Sequence, residues 1–186
     1  MRKIAVIFPG IGYTKDRPLL YYSGKLARKN GYELIFIDYS EVDCDKDKIK
    51  DKSYVDKKLN EYLEMTEKSL RDVGDMTSDN VVFISKSLGT VVAASYARKK
   101  SLNVNQICFS PLEMIGDFIN AEEGIFLYGD DDPFADYKII EEIAEEKELN
   151  TFRVSGGNHS LETGDIDTDL ENMRNIIQCV AIHGRL

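Results

Sequence analysis

Short apolar segments alternate with longer amphipathic segments along this chain. Most of the six short runs show no alternation of apolar and polar positions, which is typical of strands covered on both faces of a parallel sheet. These runs are Ile4–Phe8, Leu34–Ile37, Val81–Ile84, Ile107–Phe109, Ile125–Tyr128 and Thr151–Val154. Residues 18–30, 53–73, 88–99 and 136–148 have helical spacing, and a last helix is expected to begin with the capping box Thr168-Asp169-Leu170-Glu171.

The alternation of strands and helices predicts βαβ units joined by right-handed crossovers. The chain has 186 residues, which is enough for one domain with a sizeable core. No repeat and no low-complexity linker points to a second domain. We therefore expect a single domain over residues 1–186. It should be an α/β protein, a three-layer sandwich in which a mostly parallel six-stranded sheet lies between two helical layers.

Composition and charge narrow the classes of partner. The net charge of −9 and the pI near 4.8 argue against nucleic acid, because phosphate binding needs a positive surface. The three cysteines have no framework spacing, and Cys108 and Cys179 lie in apolar runs, which indicates free thiols in a reducing compartment. The first apolar run is too short for a signal peptide and no segment is long enough to span a membrane, so we expect a cytoplasmic protein with no membrane partner.

One polar block, Glu41–Lys52, interrupts the pattern. Three aspartates at alternate positions resemble the start of a calcium loop. Lys48, however, stands at the position of the required glycine, and Tyr54 stands at that of the required glutamate. We therefore expect a solvated loop here and no metal.

Ligands of a doubly wound sheet bind beyond the carboxyl ends of its strands, so the residues after each run are the candidates for chemistry. The third run leads into Ser85-Lys86-Ser87-Leu88-Gly89-Thr90. This stretch resembles the nucleophile elbow G-x-S-x-G of the α/β-hydrolases, with Ser87 as the nucleophile. Gly89 fits the pattern, and Ser85 is a small residue where the family usually has glycine. A purely structural serine-rich turn is the alternative interpretation.

The chain has two histidines. His183 lies near the C-terminus and is expected to be solvated. His159 lies in the glycine-rich stretch Val154–Leu161 after the last strand, which resembles the histidine loop of the same family. The stretch Gly129–Phe134 after the fifth strand resembles the loop of the acid, and its register selects Asp132.

Asp130 and Asp131 stay open as alternatives for the acid, and an acidic turn without a catalytic role is the alternative for the whole stretch. Three adjacent aspartates also suggest a metal site, but no further ligand pattern accompanies them, so no metal is expected. The chain order Ser87, Asp132, His159 is the order found in α/β-hydrolases. The agreement of three modest signals is more specific than any one of them.

The first strand is followed by Phe8-Pro9-Gly10-Ile11-Gly12-Tyr13. This stretch resembles the oxyanion loop of the family, which implies that the backbone N–H groups of Ile11 and Leu88 hold the substrate oxygen. A shift of the register by one residue would make Gly12 the donor instead of Ile11. A dinucleotide loop is the rival interpretation, but Lys15 occupies the position of its third glycine.

The resemblance covers essentially the whole chain and implies a small lidless α/β-hydrolase with the strand order 2-1-3-4-5-6. About a dozen residues, Pro111 to Gly124, separate the fourth and fifth strands where the family usually carries a lid. An open site favours a small or exposed acyl ester, thioester or amide, hydrolysed without a cofactor. Substrate contacts are expected from Gly12, Tyr13, Lys86, Leu112, Met114 and Phe134.

Two other classes of function are considered. A non-catalytic binding or interaction protein on the same scaffold is the first, because fold does not imply function and Ser85 and Pro9 depart from the family pattern. A flavodoxin-like flavin or nucleotide module is the second. It would have no use for Asp132 and His159 in this arrangement.

Overall fold

Six strands form one parallel sheet in the computed structural model, which describes residues 2–45, 48, 51–74, 76, 81–122, 124–184 and 186. The spatial order is β2-β1-β3-β4-β5-β6, and every neighbouring pair is parallel. The strands are β1 (Lys3–Phe8), β2 (Tyr32–Phe36), β3 (Val81–Lys86), β4 (Asn105–Phe109), β5 (Gly124–Gly129) and β6 (Asn150–Val154). This confirms the predicted sheet and its order.

Five α-helices of the described chain cover the two faces of the sheet. They are α1 (Pro18–Lys29), α2 (Lys52–Leu70), α3 (Leu88–Lys99), α4 (Tyr137–Glu146) and α5 (Ile166–His183). Helices α1 and α5 pack together on one face, whereas α2, α3 and α4 cover the other. The predicted three-layer α/β/α sandwich is therefore confirmed. None of the helices in the described ranges is long and apolar enough to cross a membrane.

Two apolar layers hold the helices to the sheet. Alternate residues of a strand point to opposite faces, so Val6 and Phe8 belong to the layer under α2, α3 and α4, whereas Ala5 and Ile7 belong to the layer under α1 and α5. All residues of β3, β4 and β5 are buried, which explains why their sequences are apolar without alternation.

The start of the last helix differs from the prediction. Helix α5 begins at Ile166, and Asp165 is its N-cap. The Asp165 carboxylate accepts hydrogen bonds from the backbone N–H of Thr168 at 2.9 Å and from the Thr168 hydroxyl at 2.6 Å. The capping box at Thr168 was therefore wrong, because an acidic residue three positions earlier already satisfies the first free N–H groups.

The solvated loop predicted for Glu41–Lys52 lies only in part within the described residues. Residues 46, 47, 49 and 50 fall outside them. Helix α2 begins directly after this loop, where the Asp51 carboxylate accepts hydrogen bonds from the N–H groups of Ser53 and Tyr54.

Gly129 fixes the distance between β5 and the chain that follows β6. A Cβ atom at this position would overlap the carbonyl oxygen of Gly157. That oxygen accepts a hydrogen bond from the N–H of Asp131 at 3.0 Å. The loops after β5 and β6 therefore touch through their backbones, and only a residue without a side chain fits at the contact.

We predict that Gly129→Ala lowers the free energy of unfolding by about 1–3 kcal/mol, because the backbones must separate to admit the methyl group. Urea denaturation measures this change. Gly116→Ala is the matched control, since a Cβ there meets only the flexible side chain of Ile143. Unfolding of Gly129→Ala at the same urea concentration as the wild type would contradict the close contact.

Candidate active site

Ser87 occupies a sharp turn between β3 and α3. Its φ of 55° and ψ of −126° lie in a region that residues other than glycine rarely adopt. The turn is held by the Ser87 N–H, which donates to the carbonyl of Phe109 at 3.0 Å, and by the Ser87 carbonyl, which accepts from the N–H and the hydroxyl of Thr90 at 2.9 and 2.7 Å. The Ser87 hydroxyl does not cap the helix.

The small residues around Ser87 are explained by close backbone contacts. A Cβ on Gly89 would lie 2.5 Å from the carbonyl oxygens of Phe8 and Pro9. A Cβ on Gly10 would lie 3.1 Å from the Cβ of Ser87. The β1 loop (residues 9–17) therefore packs directly against the turn. Ser85 is fully buried, and its hydroxyl donates to the carbonyl of Ile107 on β4 at 3.2 Å, so a serine is accommodated there.

His159 lies between Ser87 and Asp132. Its Nε2 is 2.8 Å from the Ser87 Oγ, and its Nδ1 is 2.7 Å from the Asp132 Oδ2. The side chains of Asp132 and His159 are 3% and 20% exposed, and Ser87 is 5% exposed. The second oxygen of Asp132 accepts a hydrogen bond from the N–H of Phe134 at 2.8 Å, which fixes the carboxylate. The structure thus brings together three side chains that are far apart in the sequence.

The neighbouring candidates lie elsewhere. The Asp130 carboxylate accepts a hydrogen bond from the N–H of Gly156 at 2.6 Å and lies 3.8 Å from the Nε of Arg153. Asp131 is exposed. Only Asp132 of the three aspartates contacts the imidazole. His183 is exposed at the end of α5, where its carbonyl accepts from Asn105 on β4.

Comparisons with known proteins identify the fold. No model of a known protein family matches the chain, and no curated protein matches its sequence. A structure described as a hydrolase of the alpha/beta superfamily from Xanthomonas campestris pv. campestris is similar with a TM-score of 0.66 at 15% identity, over 97% of this chain and 99% of that one. The chain has the α/β-hydrolase fold.

Two further structures bear on the form of this fold. An alpha/beta serine hydrolase without a lid from Xanthomonas campestris is similar with a TM-score of 0.62 at 14% identity, over 96% of this chain and 80% of that one. Est1E from Butyrivibrio proteoclasticus, with ferulic acid bound, gives a TM-score of 0.67 at 11% identity, over 99% and 90% of the two chains. At such identities the likeness concerns the fold alone.

This α/β-hydrolase fold carries no lid. Within the described residues, the connection between β4 and β5 forms only the short 3₁₀ helix Glu113–Asp117. The buried Ile115 and Ile119 tie the connection to the core. The prediction of a lidless fold is therefore confirmed, and the turn at Ser87 has no inserted helical domain above it.

Two residues position the β6 loop (residues 155–165), which carries His159: Ser110, which was not predicted, and Asp130, which had stayed open as an alternative acid. Ser110, fully buried and with a φ of 41°, donates a hydrogen bond from its hydroxyl to the carbonyl of His159 at 2.9 Å. Asp130 holds Gly156 of the same loop. Both are small polar residues directly after a strand, so the rule that selects the carboxyl ends of strands would also have found Ser110.

Some backbone N–H groups of the β1 loop donate within the loop, and others donate no hydrogen bond among the described residues. Gly10 and Tyr13 exchange two backbone hydrogen bonds of 3.2 Å, which close a tight turn. Among the hydrogen bonds of the described residues, none is donated by the backbone N–H of Ile11, Gly12 or Leu88. Leu88 is the first residue of α3, whose positive dipole end points at Ser87. The N–H groups that donate no bond are therefore compatible with both predictions for the oxyanion donors, Ile11 with Leu88 or Gly12 with Leu88.

The predicted substrate contacts differ in how deeply they are buried. Leu112 is buried in the core and Met114 packs against it half-buried. The Phe134 ring, 37% exposed, meets the His159 ring edge-on at 4.8 Å between centroids. Tyr13 is half-buried, and Lys86 is fully buried. Whether these residues touch a substrate stays a prediction.

Gly12 borders a cavity of about 620 Å³. The β1 loop forms one wall, and the β2 loop (the described residues 37–45) forms the other, with Tyr62 of α2 beneath them. Pro9, Ile11 and Val42 contribute apolar surface to it. The cavity adjoins the turn, because Gly10 belongs to its wall and also abuts Ser87.

Burial controls the charges of the site. Burial lowers the pKa of His159, while the hydrogen bond to Asp132 raises it and the nearby charge of Lys86 lowers it further. Burial also lowers the pKa of Lys86 to about 7, against the opposing effect of Asp132, and raises that of Tyr13 to about 12. In the described ranges, no group of three or more His, Cys, Asp or Glu residues is arranged to hold a metal ion.

We predict that Asp132→Asn lowers the pKa of His159, because the carboxylate and its hydrogen bond favour the protonated imidazole. NMR titration of the two imidazoles measures this, with His183 as the internal reference. Asp131→Asn, which removes an exposed charge next to it, should leave the His159 titration near that of the wild type. A larger change in Asp131→Asn than in Asp132→Asn would make Asp131 the partner of the imidazole.

Proposed function

We propose that this protein is a serine hydrolase that transfers an acyl group to water through an acyl-enzyme on Ser87. The observation that carries the proposal is the 2.8 Å contact between the Ser87 Oγ and the His159 Nε2 at a turn of positive φ. A hydroxyl is a weak nucleophile by itself, and a neutral imidazole in hydrogen-bond contact activates it. The similarity to a serine hydrolase without a lid supports the same activity.

In the first half of the reaction, His159 takes the proton of Ser87 while the oxygen attacks the acyl carbon. Asp132 holds the Nδ1–H of His159 and stabilises the imidazolium that forms. The oxygen of the tetrahedral intermediate is held by the N–H groups of Leu88 and Ile11, or of Gly12 in the alternative register. His159 then returns the proton to the leaving group, which departs and leaves the acyl group on Ser87.

In the second half, water enters where the leaving group was. His159 takes a proton from the water as its oxygen attacks the acyl carbon. Collapse of this intermediate releases the acid and returns the proton to Ser87. Because the lowered pKa of His159 keeps the imidazole neutral at pH 7, the base is ready without a further shift.

The strand order indicates where the leaving group and the acyl chain of the substrate would lie. Ser87 follows β3, while His159 and Asp132 follow β6 and β5, on one side of it. The leaving group must face His159 to receive the proton. The acyl chain then lies on the opposite side, where β1 and β2 end and the cavity of about 620 Å³ begins. We therefore place a small acyl chain in this cavity, against the apolar surface of Pro9, Ile11 and Val42 and away from the charged groups of Lys15, Asp16 and Asp38.

We predict that Ser87→Ala lowers kcat/KM for a p-nitrophenyl ester by about 10⁴-fold or more, because the nucleophile is lost. A fluorophosphonate probe should label the wild type and not the variant. Ser155→Ala, an exposed serine in the β6 loop, is the matched control and should retain turnover and labelling.

The alternative function is distinguished by the same experiment. A folded wild type that neither turns over a panel of short esters, thioesters and amides nor accepts the probe would overturn the hydrolase proposal and favour a binding protein on this scaffold. Turnover that survives in Ser87→Ala would remove Ser87 from the mechanism.

We predict that Val42→Phe lowers kcat/KM for a p-nitrophenyl hexanoate about tenfold while changing that for the acetate little, because the ring takes up room that only the longer acyl chain needs. Val42 is half-buried in the wall of the cavity and belongs to a different loop from Ser87. Ile166→Phe, at an exposed position at the start of α5, controls for added bulk. Equal losses for both esters would place the acyl chain elsewhere.

A further inference from the structure

Lys86 is the last residue of β3 and immediately precedes Ser87. It lies on the same face of the sheet as Val82 and Ile84, the face covered by α1 and α5. Its side chain is 0% exposed, and its Nζ has no hydrogen-bond partner in the part of the chain that the structure describes. The ammonium lies over the ring of Tyr13, 5.2 Å from the centroid.

A lysine in this position is costly for the fold. Lysine is almost never fully buried without a partner, because the charged amine loses its hydration. A cation–π contact with Tyr13 replaces only part of that hydration. Val82 and Ile84, which lie on the same face of β3 as Lys86, are both apolar and pack in the hydrophobic core. The packing of this layer therefore does not account for an amine.

The charged neighbours of Lys86 are the members of the site. Asp132 from the loop after β5 raises the pKa of Lys86, and Lys86 in turn lowers that of His159 from the loop after β6. Tyr13 from the β1 loop is held in place by the N–H of Leu19, which donates to its hydroxyl at 3.1 Å, and Arg17 and Glu162 act on that phenol. Of these groups, Asp132 is the only buried acid.

We propose that Lys86 is a positioning residue that acts through His159: its buried ammonium offsets the charge of Asp132 and keeps His159 in the neutral form that accepts a proton. The ammonium and the carboxylate act on the imidazole with opposite sign. The balance between them sets the pH at which His159 becomes a base. The catalytic meaning of this inference rests on the proposed hydrolase function, but the effect on His159 does not.

Lys86 and His159 lose their protons in a definite order as the pH rises. The pKa of Lys86 is about 7, whereas that of His159 is below its ordinary value of 6.5, so Lys86 is still charged when His159 loses its proton. Replacing Lys86 by a neutral residue removes the repulsion and must raise the pKa of His159. The imidazole would then be protonated, and useless as a base, over a wider range of acid pH.

The experiment uses Lys86→Met and Lys86→Gln, which remove the charge with one apolar and one polar side chain of similar length. Lys68→Met, at an exposed position on α2, controls for the loss of one positive charge. The chain has two histidines, so NMR titration separates His159 from His183 in every variant. We expect the His159 midpoint to move to higher pH in both Lys86 variants and to stay in place in Lys68→Met.

Kinetics add a second measurement. The ratio of kcat/KM at pH 6 to kcat/KM at pH 8 should fall about threefold or more in both Lys86 variants relative to the wild type. A purely structural role would instead lower kcat/KM at both pH values alike and would differ between methionine and glutamine.

Thermal unfolding shows whether the variants are folded. The pKa of Lys86 in the folded chain, about 7, lies below its ordinary value of 10.5 in the unfolded chain. Below pH 7 the folded protein therefore carries the full cost of a buried charge, and this cost declines as the pH rises from 7 towards 10.5. Lys86→Met should raise Tm at pH 6, with a smaller gain at pH 9.

A His159 midpoint that is unchanged in folded Lys86→Met and Lys86→Gln would overturn the inference, whatever the activity. A midpoint that moves as expected in a protein without turnover or probe labelling would support the charge balance and overturn the hydrolase function. The NMR result and the turnover assay therefore test the two proposals separately.

Discussion

The close approach of Gly89 to the carbonyls of Phe8 and Pro9 is the constraint on which the rest of the site depends. Strand β3, helix α3 and the β1 loop can meet this tightly only if residue 89 has no side chain and Ser87 adopts a positive φ. The same turn brings the Ser87 Oγ within 2.8 Å of the His159 Nε2. Backbone packing therefore builds most of the site before any charged group contributes.

The charged groups around His159 then determine the pKa of its imidazole. Asp132 contacts His159 where little water reaches them, and Lys86 is fully buried, so the charges of the three groups act on one another more strongly than they would at the surface. One acid favours the protonated imidazole, while one amine and burial oppose it. The net effect lowers the pKa of His159, so the imidazole is neutral at pH 7. Burial alone or the carboxylate alone would shift this pKa in one direction only.

The sheet gives the site two unlike sides. The loops after β5 and β6 carry Asp132 and His159, and Ser110, Asp130 and the contact of Gly129 with Gly157 hold these loops in place. The loops after β1 and β2 line the cavity, which combines apolar residues such as Val42 with the charged residues Lys15, Asp16 and Asp38. With no lid over the turn, the division between the two sides comes from the order of the strands.

The sequence alone determined the order and type of the elements and the three strand ends at which the candidate residues lie. Apolar runs without alternation, glycines at close contacts and small polar residues after strands are local properties, so they can be read locally. Even there the start of α5 was misplaced, because Asp165 caps the helix three residues before Thr168 and accepts a hydrogen bond from the Thr168 N–H. Only the tertiary structure decided that Asp132, and neither of its neighbours, meets His159, that Ser110 holds its loop, and that Lys86 is buried beneath the site. Those contacts depend on distances of a few tenths of a nanometre between segments far apart in the chain, and such distances are set by how the whole sheet twists and packs.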